Sequence, residues 1–131
     1  MDERALHLKR RQPPKCWSCG ATTKQQVVVH ANWNGNGGRP MYRCSECDRF
    51  ICFADTRGIH SDNPRCDCPK QPRSRAQVAG DTEKQEIPRA VHYRCAMGMC
   101  SFFEYKEDEK GEVVTLREGR LDPEEVRMMG L

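Results

Sequence analysis

The chain has 131 residues, with 22 Lys and Arg against 19 Asp and Glu and a formal net charge of +3. This length suits one ordinary domain or two very small ones, and it excludes a multidomain enzyme with its own cofactor fold. Leu, Ile, Val and Phe together make up about 15% of the residues, less than the roughly 20% below which chains tend toward disorder. Apolar burial alone therefore does not hold this fold, and the nine cysteines are the candidate substitute.

The start of the sequence predicts a basic arm followed by a small β unit. Residues 1–14 are polar and basic, which favours a flexible arm. A first folded unit is expected over residues 15–58, with short apolar runs typical of strands at residues 27–29, 41–43 and 50–53. The Asn- and Gly-rich stretch between the first two runs predicts a hairpin.

A second unit of the same kind is expected after a turn-rich linker at residues 59–64. This unit spans residues 65–117, and its strands are predicted at residues 76–78, 91–93, 102–105 and 113–116. Between the first two of these strands, the polar, acidic stretch at residues 80–87 predicts an exposed loop.

The tail at residues 118–131 contains the single predicted helix. Asp122 is a typical N-cap residue, and Pro123 suits the first helical position, so we expect a helix over residues 123–129. The predicted fold class is small and mainly β, with a short carboxy-terminal helix.

The cysteines occur in two copies of one pattern. In each copy a close pair is followed, about 25 residues later, by a second pair that comes directly after a Tyr-Arg strand. Tetrahedral zinc takes four soft ligands at about 2.3 Å, so two close pairs that clamp separate chain segments are the expected arrangement. We assign one zinc ion to Cys16, Cys19, Cys44 and Cys47, and a second to Cys66, Cys68, Cys95 and Cys100.

The spacing within the second copy leaves alternative ligands open. Its first pair is closer together than the usual spacing and its second pair is wider. Cys52, His60 or His92 therefore remains a possible replacement for one assigned ligand, although Cys52 also fits a buried apolar thiol on a strand.

The predicted zinc ions are structural, and the protein is expected to be non-enzymatic. Four thiolates complete the coordination of each ion and leave no open position for a catalytic water. When eight thiolates and two zinc ions are counted, the net charge becomes about −1.

The amino-terminal residues and the cysteine count together predict a cellular compartment. No apolar stretch typical of a signal peptide is present near Met1. A disulfide framework would leave at least one of the nine cysteines unpaired. We therefore expect an intracellular protein, nuclear or cytoplasmic, whose thiols stay reduced. No run of about 18 apolar residues occurs, so a membrane partner is not expected.

The residues around the cysteines resemble the GRF-type zinc finger, a small zinc-ribbon-like β module. In the first copy, the Gly-Arg-Pro-Met-Tyr-Arg-Cys segment at residues 38–44 matches the family's Gly-Arg, Tyr and Cys positions. In the second copy, residues 93–95 and 100–105 match the end of the family's motif. Met41 and His92 stand where the family has an aromatic residue. The resemblance covers about residues 15–106 and implies a tandem of two GRF-like zinc ribbons.

The resemblance implies that the chain binds single-stranded DNA or RNA. Such binding needs a basic groove with aromatic faces on which bases stack. The candidates in the first copy are Trp33, Arg39, Tyr42 and Arg43, and those in the second copy are Arg89, Tyr93, Arg94, Phe103 and Tyr105. Tyr42 and Tyr93 flank the ligand strands and equally fit a packing role beside the metal.

An alternative function is a zinc-stabilised adaptor for protein–protein contacts. The tail ends in apolar residues that either bind a protein partner or pack back onto the second unit as a helix: Val126, Met128, Met129 and Leu131. The near-zero net charge of the zinc-loaded chain keeps this alternative open, because nucleic-acid binding depends on basic charge.

Overall fold

The computed structural model describes residues 13–30, 34–79 and 86–131 of the chain. The predicted arm lies almost entirely outside these residues, as do Trp33 and most of the predicted loop at residues 80–87. The described residues form β1 (Lys24–Val27), β2 (Pro40–Cys44), β3 (Arg49–Phe53), β4 (Arg75–Val78), β5 (Val91–Arg94), β6 (Phe103–Tyr105) and α1 (Pro123–Met128). Among them, no helix has the length and apolar character needed to cross a membrane.

The strands form two antiparallel sheets of the same topology. Their orders are β1-β2-β3 and β4-β5-β6, so each central strand lies between its sequence neighbours. This confirms the predicted mainly β fold with two repeated modules. We call β1–β3 with the cysteines at residues 16–47 the first module, and β4–β6 with the cysteines at residues 66–100 the second module.

Two predicted strands differ in position or continuity from the observed ones. β1 ends at Val27, because its ladder pairs Lys24–Val27 with the central strand, and most of the predicted run at residues 27–29 follows it with Val29 exposed. Residues 113–116 form two isolated bridges, to Glu107 and to Ala90, in place of a continuous strand.

The repeat extends to the turn that precedes each sheet. The hydroxyl of Thr23 donates a 2.6 Å hydrogen bond to the carbonyl of Pro14, and the hydroxyl of Ser74 donates a 2.6 Å bond to the carbonyl of Pro64. Both hydroxyl-bearing residues are buried. Each bond closes the base of the loop that carries the first cysteine pair, so the two loops are built in the same way.

The tail packs onto the second sheet and completes its core. The helix α1 begins after Asp122, whose carboxylate accepts a 2.9 Å hydrogen bond from the backbone N–H of Glu124, as predicted for this cap. The apolar cluster beneath it joins tail and sheet residues: Ala76, Val78, Val91, Leu121, Val126 and Leu131. The first module has a smaller buried cluster, made of Cys16, Cys44, Ile51 and Cys52.

A buried arginine joins the two modules. Arg75 on β4 is 2% exposed and donates to the Asp55 carboxylate at 2.7 Å and to the carbonyl of Phe53 at 3.2 Å. Arg39 holds the same carboxylate with two further hydrogen bonds of 2.9 and 2.8 Å. Burial favours the neutral acid, but the bonds and charges of both arginines outweigh it and hold the pKa of Asp55 below its usual range. An ionised Asp55 therefore bridges two guanidinium groups.

The second cysteine loop also packs against the first sheet. Gly98 adopts a φ of +67°, and a β carbon at this position would lie 2.5 Å from the Ile51 side chain and 3.2 Å from the Cys52 sulfur. Only glycine fits both this backbone conformation and this contact. The two modules therefore meet along β3.

Candidate metal centres and the surface between them

The first four cysteines form a compact cluster suited to zinc. The sulfur atoms of Cys16, Cys19, Cys44 and Cys47 all lie within 4.8 Å of one another, and the Cys19 and Cys44 sulfurs are 3.5 Å apart. Zinc–sulfur bonds of about 2.3 Å in a tetrahedron place sulfurs about 3.8 Å apart, whereas a disulfide needs about 2.05 Å. The spacing therefore fits a metal ion between four thiolates and does not fit a disulfide.

Tight turns present these cysteines to one point. The backbone N–H of Gly20 bonds to the Cys16 carbonyl at 2.7 Å, and the N–H of Cys16 bonds to the carbonyl of Ala21 at 2.8 Å. Gly20 follows one cysteine pair and Asp48 follows the other, and both have positive φ values, of 77° and 50°. The left-handed residue after each pair turns the chain back and leaves the two sulfurs on the inner side of the loop.

The second four cysteines form an equivalent cluster despite their different spacing. The sulfurs of Cys66, Cys68, Cys95 and Cys100 also lie within 4.8 Å of one another, with 3.6 Å between those of Cys68 and Cys95. A bond from the N–H of Gln71 to the Cys68 carbonyl closes the first turn, at 2.8 Å. The wider second pair is closed by a 3.1 Å bond from Gly98 to the Cys95 carbonyl.

The electrostatics of the clusters suit thiolates that share a dication. The backbone N–H of Cys19 points to the Cys16 sulfur and lowers the pKa of Cys16 to about 7. The neighbouring Cys19 thiol raises the pKa of Cys47 to about 12, and burial raises the pKa of Cys66 to about 11. In each cluster, four adjacent thiols do not all ionise without a compensating positive charge. One structural zinc ion per cluster supplies that charge.

The possible replacement ligands lie elsewhere. Neither four-sulfur cluster includes Cys52, which is 3% exposed in the apolar cluster of the first module. The Nε2 atom of His60 lies 2.7 Å from the carbonyl of Gly130. His92 is buried and stacks on Phe103, with 4.9 Å between ring centroids.

A small β module that clamps one metal ion between two cysteine loops is a zinc ribbon. Residues 13–57 match the family model described as the GRF-like zinc ribbon domain, so this part of the chain is similar to that family. The second cysteine cluster, at residues 66–100, is compatible with a tandem arrangement. Searches of the curated proteins and of the solved structures each found no significant match.

Two of the arginines predicted to bind nucleic acid lie inside the protein. Arg39 is 3% exposed and bonds to Asp55 and to the Asn36 side chain. Arg89 is 2% exposed, and its guanidinium donates to the carbonyls of Arg117 and Gly119 at 3.2 and 2.6 Å. Each arginine shortly precedes a central strand and anchors a loop there. In these positions their side chains support the fold.

The two predicted tyrosines pack against the cores. Tyr42 contacts the apolar cluster of the first module, and Tyr93 contacts the cluster beneath the tail. Burial, followed by the charges of Asp62 and Glu104, raises the pKa of Tyr93. These contacts favour a packing role for Tyr42 and Tyr93, which the sequence also allowed.

The remaining candidates of the second module share the opposite face of its sheet. Phe103 is 48% exposed, lies in register with Arg94, and makes an edge contact with Tyr105 at 4.9 Å. The Tyr105 hydroxyl donates to Glu86 at 3.4 Å, which places a carboxylate at this end of the face. In the first module, Arg43 pairs with Asp48 at 3.0 Å.

Three further surface residues were not predicted from the sequence. Arg49 lies over the ring of Trp17, 4.7 Å from its centroid, and Trp17 is 38% exposed within the first cysteine loop. Phe50 is half-buried, and the Arg94 guanidinium of the second module lies 5.8 Å from its ring centroid. The sequence held one signal for Trp17, which lies between two ligands of a four-residue metal loop, where the core does not cover an aromatic ring.

These pairwise relations link residues of both modules. We call the set the aromatic–arginine strip, and it consists of Trp17, Arg49, Phe50, Arg94 and Phe103. Arg49 lies over Trp17 and precedes Phe50 on β3, while Arg94 lies near the Phe50 ring and pairs in register with Phe103.

Proposed function

We propose that the protein is a non-enzymatic, zinc-stabilised binder of single-stranded nucleic acid. The observation that carries the proposal is the aromatic–arginine strip. Exposed aromatic rings offer stacking faces to unpaired bases, and arginines offer charge to phosphates. The proposed binding residues thus keep Arg94 and Phe103 from the sequence prediction and add Trp17, Arg49 and Phe50.

The local charge of the strip supports this proposal more than the net charge of the chain does. Among the described residues, neither Arg49 nor Arg94 forms an ion pair with a carboxylate. Their charges are therefore available to an anionic ligand. A near-neutral protein with a locally basic, aromatic surface is consistent with weak, salt-sensitive binding.

A non-enzymatic role is supported by the ligand sets. Each cluster supplies four thiolates, and a tetrahedral ion held by four thiolates has no open position for a substrate or water. The metal then stabilises the fold and does no chemistry on the bound strand.

The proposed alternative, a protein adaptor, has less support from the tail. Val126 and Leu131 are buried in the core of the second module, so they are not available to a partner. Met128 and Met129 remain 78% and 48% exposed and are the only apolar side chains of α1 and its cap that a partner would meet.

Fluorescence anisotropy of the zinc-loaded protein tests the proposal. Labelled single-stranded and duplex oligonucleotides of equal length are titrated across a salt series. We expect a preference for the single strand and an affinity that falls with salt. Replacing Arg49 and Arg94 together with Ala should reduce the slope of log affinity against log salt by about 1.4, because each phosphate contact contributes about 0.7.

A matched variant controls for total charge. Replacing Lys110 and Arg120 with Ala removes the same charge from two exposed positions outside both sheets. This variant should bind almost as the wild type does. Absence of binding at low salt, or equal loss of affinity in the two variants, would contradict the proposal. In the first case the exposed methionines of the tail become the next candidates for a partner.

A further inference from the structure

The two modules form one rigid surface at their junction. The second cysteine loop packs on β3 through Gly98, and Arg75 donates both to the Phe53 carbonyl of the first module and, at 3.5 Å, to the Ala96 carbonyl of the second. These contacts involve buried atoms and glycine packing, which do not rearrange at low cost. The relative positions of the modules are therefore fixed before any ligand binds.

The aromatic–arginine strip crosses this junction. Arg49 directly precedes Phe50 on β3, and the Arg94 guanidinium lies 5.8 Å from the centroid of the Phe50 ring, so one arginine from each module flanks the same aromatic residue. An anion that contacts both guanidinium groups therefore needs residues of both modules.

We propose that the junction is a composite phosphate site, at which both modules hold one continuous single strand. In this arrangement Arg49 and Arg94 contact the same stretch of backbone. Trp17 on one side and Phe103 on the other stack the flanking bases. This inference rests on the proposed function, and it adds that the modules act as a single site and not as two independent ones.

Charge complementarity favours nucleic acid as the occupant of this surface. Two guanidinium groups that form no ion pair within the described part of the chain attract a phosphodiester. The planar faces of Trp17 and Phe103 suit bases more than they suit an acidic peptide. At the far end, Glu86 beside Tyr105 disfavours phosphate. We therefore expect the bound strand to run from Trp17 to Phe103 and to end there.

Stoichiometry distinguishes a composite site from two separate ones. The full-length, zinc-loaded protein is titrated with fluorescein-labelled oligothymidylate and oligouridylate of about 4 to 20 nucleotides, which brackets the site size of small single-strand binding domains. A composite site binds one oligonucleotide per chain at every length. Comparison of the two oligomers shows whether the 2′-hydroxyl contributes.

Two variants, one in each module, give a second readout. Trp17→Ala and Phe103→Ala should each weaken binding of the longest oligomer about tenfold, and the double variant about 100-fold, because losses within one site multiply. Phe103→Tyr keeps the stacking ring and should bind like the wild type. Both replaced residues are substantially exposed, and an unchanged content of two zinc ions per chain checks the fold.

The possible outcomes separate this inference from the proposed function. One oligonucleotide per chain with multiplied losses supports the composite site. Two oligonucleotides per chain, or a double variant no weaker than the weaker single variant, overturns it while single-strand binding stands. Absence of binding by the wild-type protein overturns the proposed function itself.

Discussion

Strands β1 and β4 occupy the same place in the two modules and have opposite environments. Lys24 and Arg75 begin these strands and pair in register with Arg43 and Arg94, the equivalent residues of the central strands. Yet all four residues of β1 are exposed, and all four of β4 are buried. The first module covers β4 on one side through Asp55, and the tail covers it on the other.

This difference shows that one sequence pattern is stabilised in two ways. The first module has a small buried cluster in which three of four members are cysteines, so its folding free energy must come mostly from zinc. The second module adds the apolar residues of the tail, among them Leu121 and Val126, which are both 0% exposed. The metal ligands are repeated, but the core is not.

Removal of zinc has the largest expected effect on stability, and the two modules should differ in how far they unfold. Structural zinc contributes about 10–16 kcal/mol in small zinc domains, more than the total stability of most proteins of this size. We expect EDTA to unfold the first module completely, whereas the cluster around Leu121 keeps residual structure in the second. Circular dichroism and amide NMR dispersion measure both changes.

Single ligand variants sharpen the same comparison. Cys44→Ser should abolish structure in the first module, and Cys95→Ser should release one zinc ion but leave the tail cluster partly formed. Cys52→Ser, which replaces a buried thiol outside both clusters, is the control and should keep two zinc ions. Unchanged circular dichroism and melting in strong chelator would show that neither cluster binds a structural metal.

Removal of the junction carboxylate should be the next largest effect. Asp55→Ala leaves the buried guanidinium of Arg75 and that of Arg39 without their shared partner, which typically costs about 3–5 kcal/mol. The urea midpoint at neutral pH measures this loss. Asp48→Asn removes the charge of an exposed ion pair with Arg43, keeps a side chain that tolerates the left-handed backbone, and should cost less than about 1 kcal/mol. Equal losses in the two variants would show that the buried network does not join the modules.

A buried histidine makes a pH-dependent contribution to the stability of the second module, smaller than that of Asp55. Burial, followed by the charge of Arg94, lowers the pKa of His92 to about 4, whereas an unfolded chain titrates near 6.5. Between these values the unfolded state binds more protons, so stability falls as the pH drops from about 6.5 toward 4. At about pH 5.5 the loss amounts to about 1.4 kcal/mol.

Urea midpoints at about pH 7 and pH 5.5 measure this contribution, with the zinc content checked at both values. His92→Phe should reduce the number of protons taken up on unfolding, which the pH dependence of stability reports, by about one. An identical slope in His92→Phe and the wild type would contradict the assignment to His92.

Much of the metal chemistry could be predicted from the sequence. The two groups of four cysteines that the structure brings together are those that the spacing indicated, even though Cys66 and Cys100 belong to pairs of unusual width. The helix start at Asp122 was also predictable, because an N-cap and a following proline act within one turn.

The surface was less predictable than the metal sites. Alternation along β5 shows that Tyr93 and Arg94 point to opposite faces, but it does not show which face a tail or a second module covers. The sequence likewise presents Arg39 and Arg43 as similar basic residues, although one is buried with Asp55 and the other is paired at the surface.

The sequence by itself indicated the two groups of metal ligands, the two-module repeat and the mainly β fold, because each cysteine pair and each turn is formed by residues close together in the chain. Only the tertiary structure decided which arginines are buried and which aromatic rings remain exposed. Those outcomes depend on how β3 meets the second cysteine loop and where the tail packs, contacts between residues far apart in sequence. The aromatic–arginine strip exists because the modules meet there.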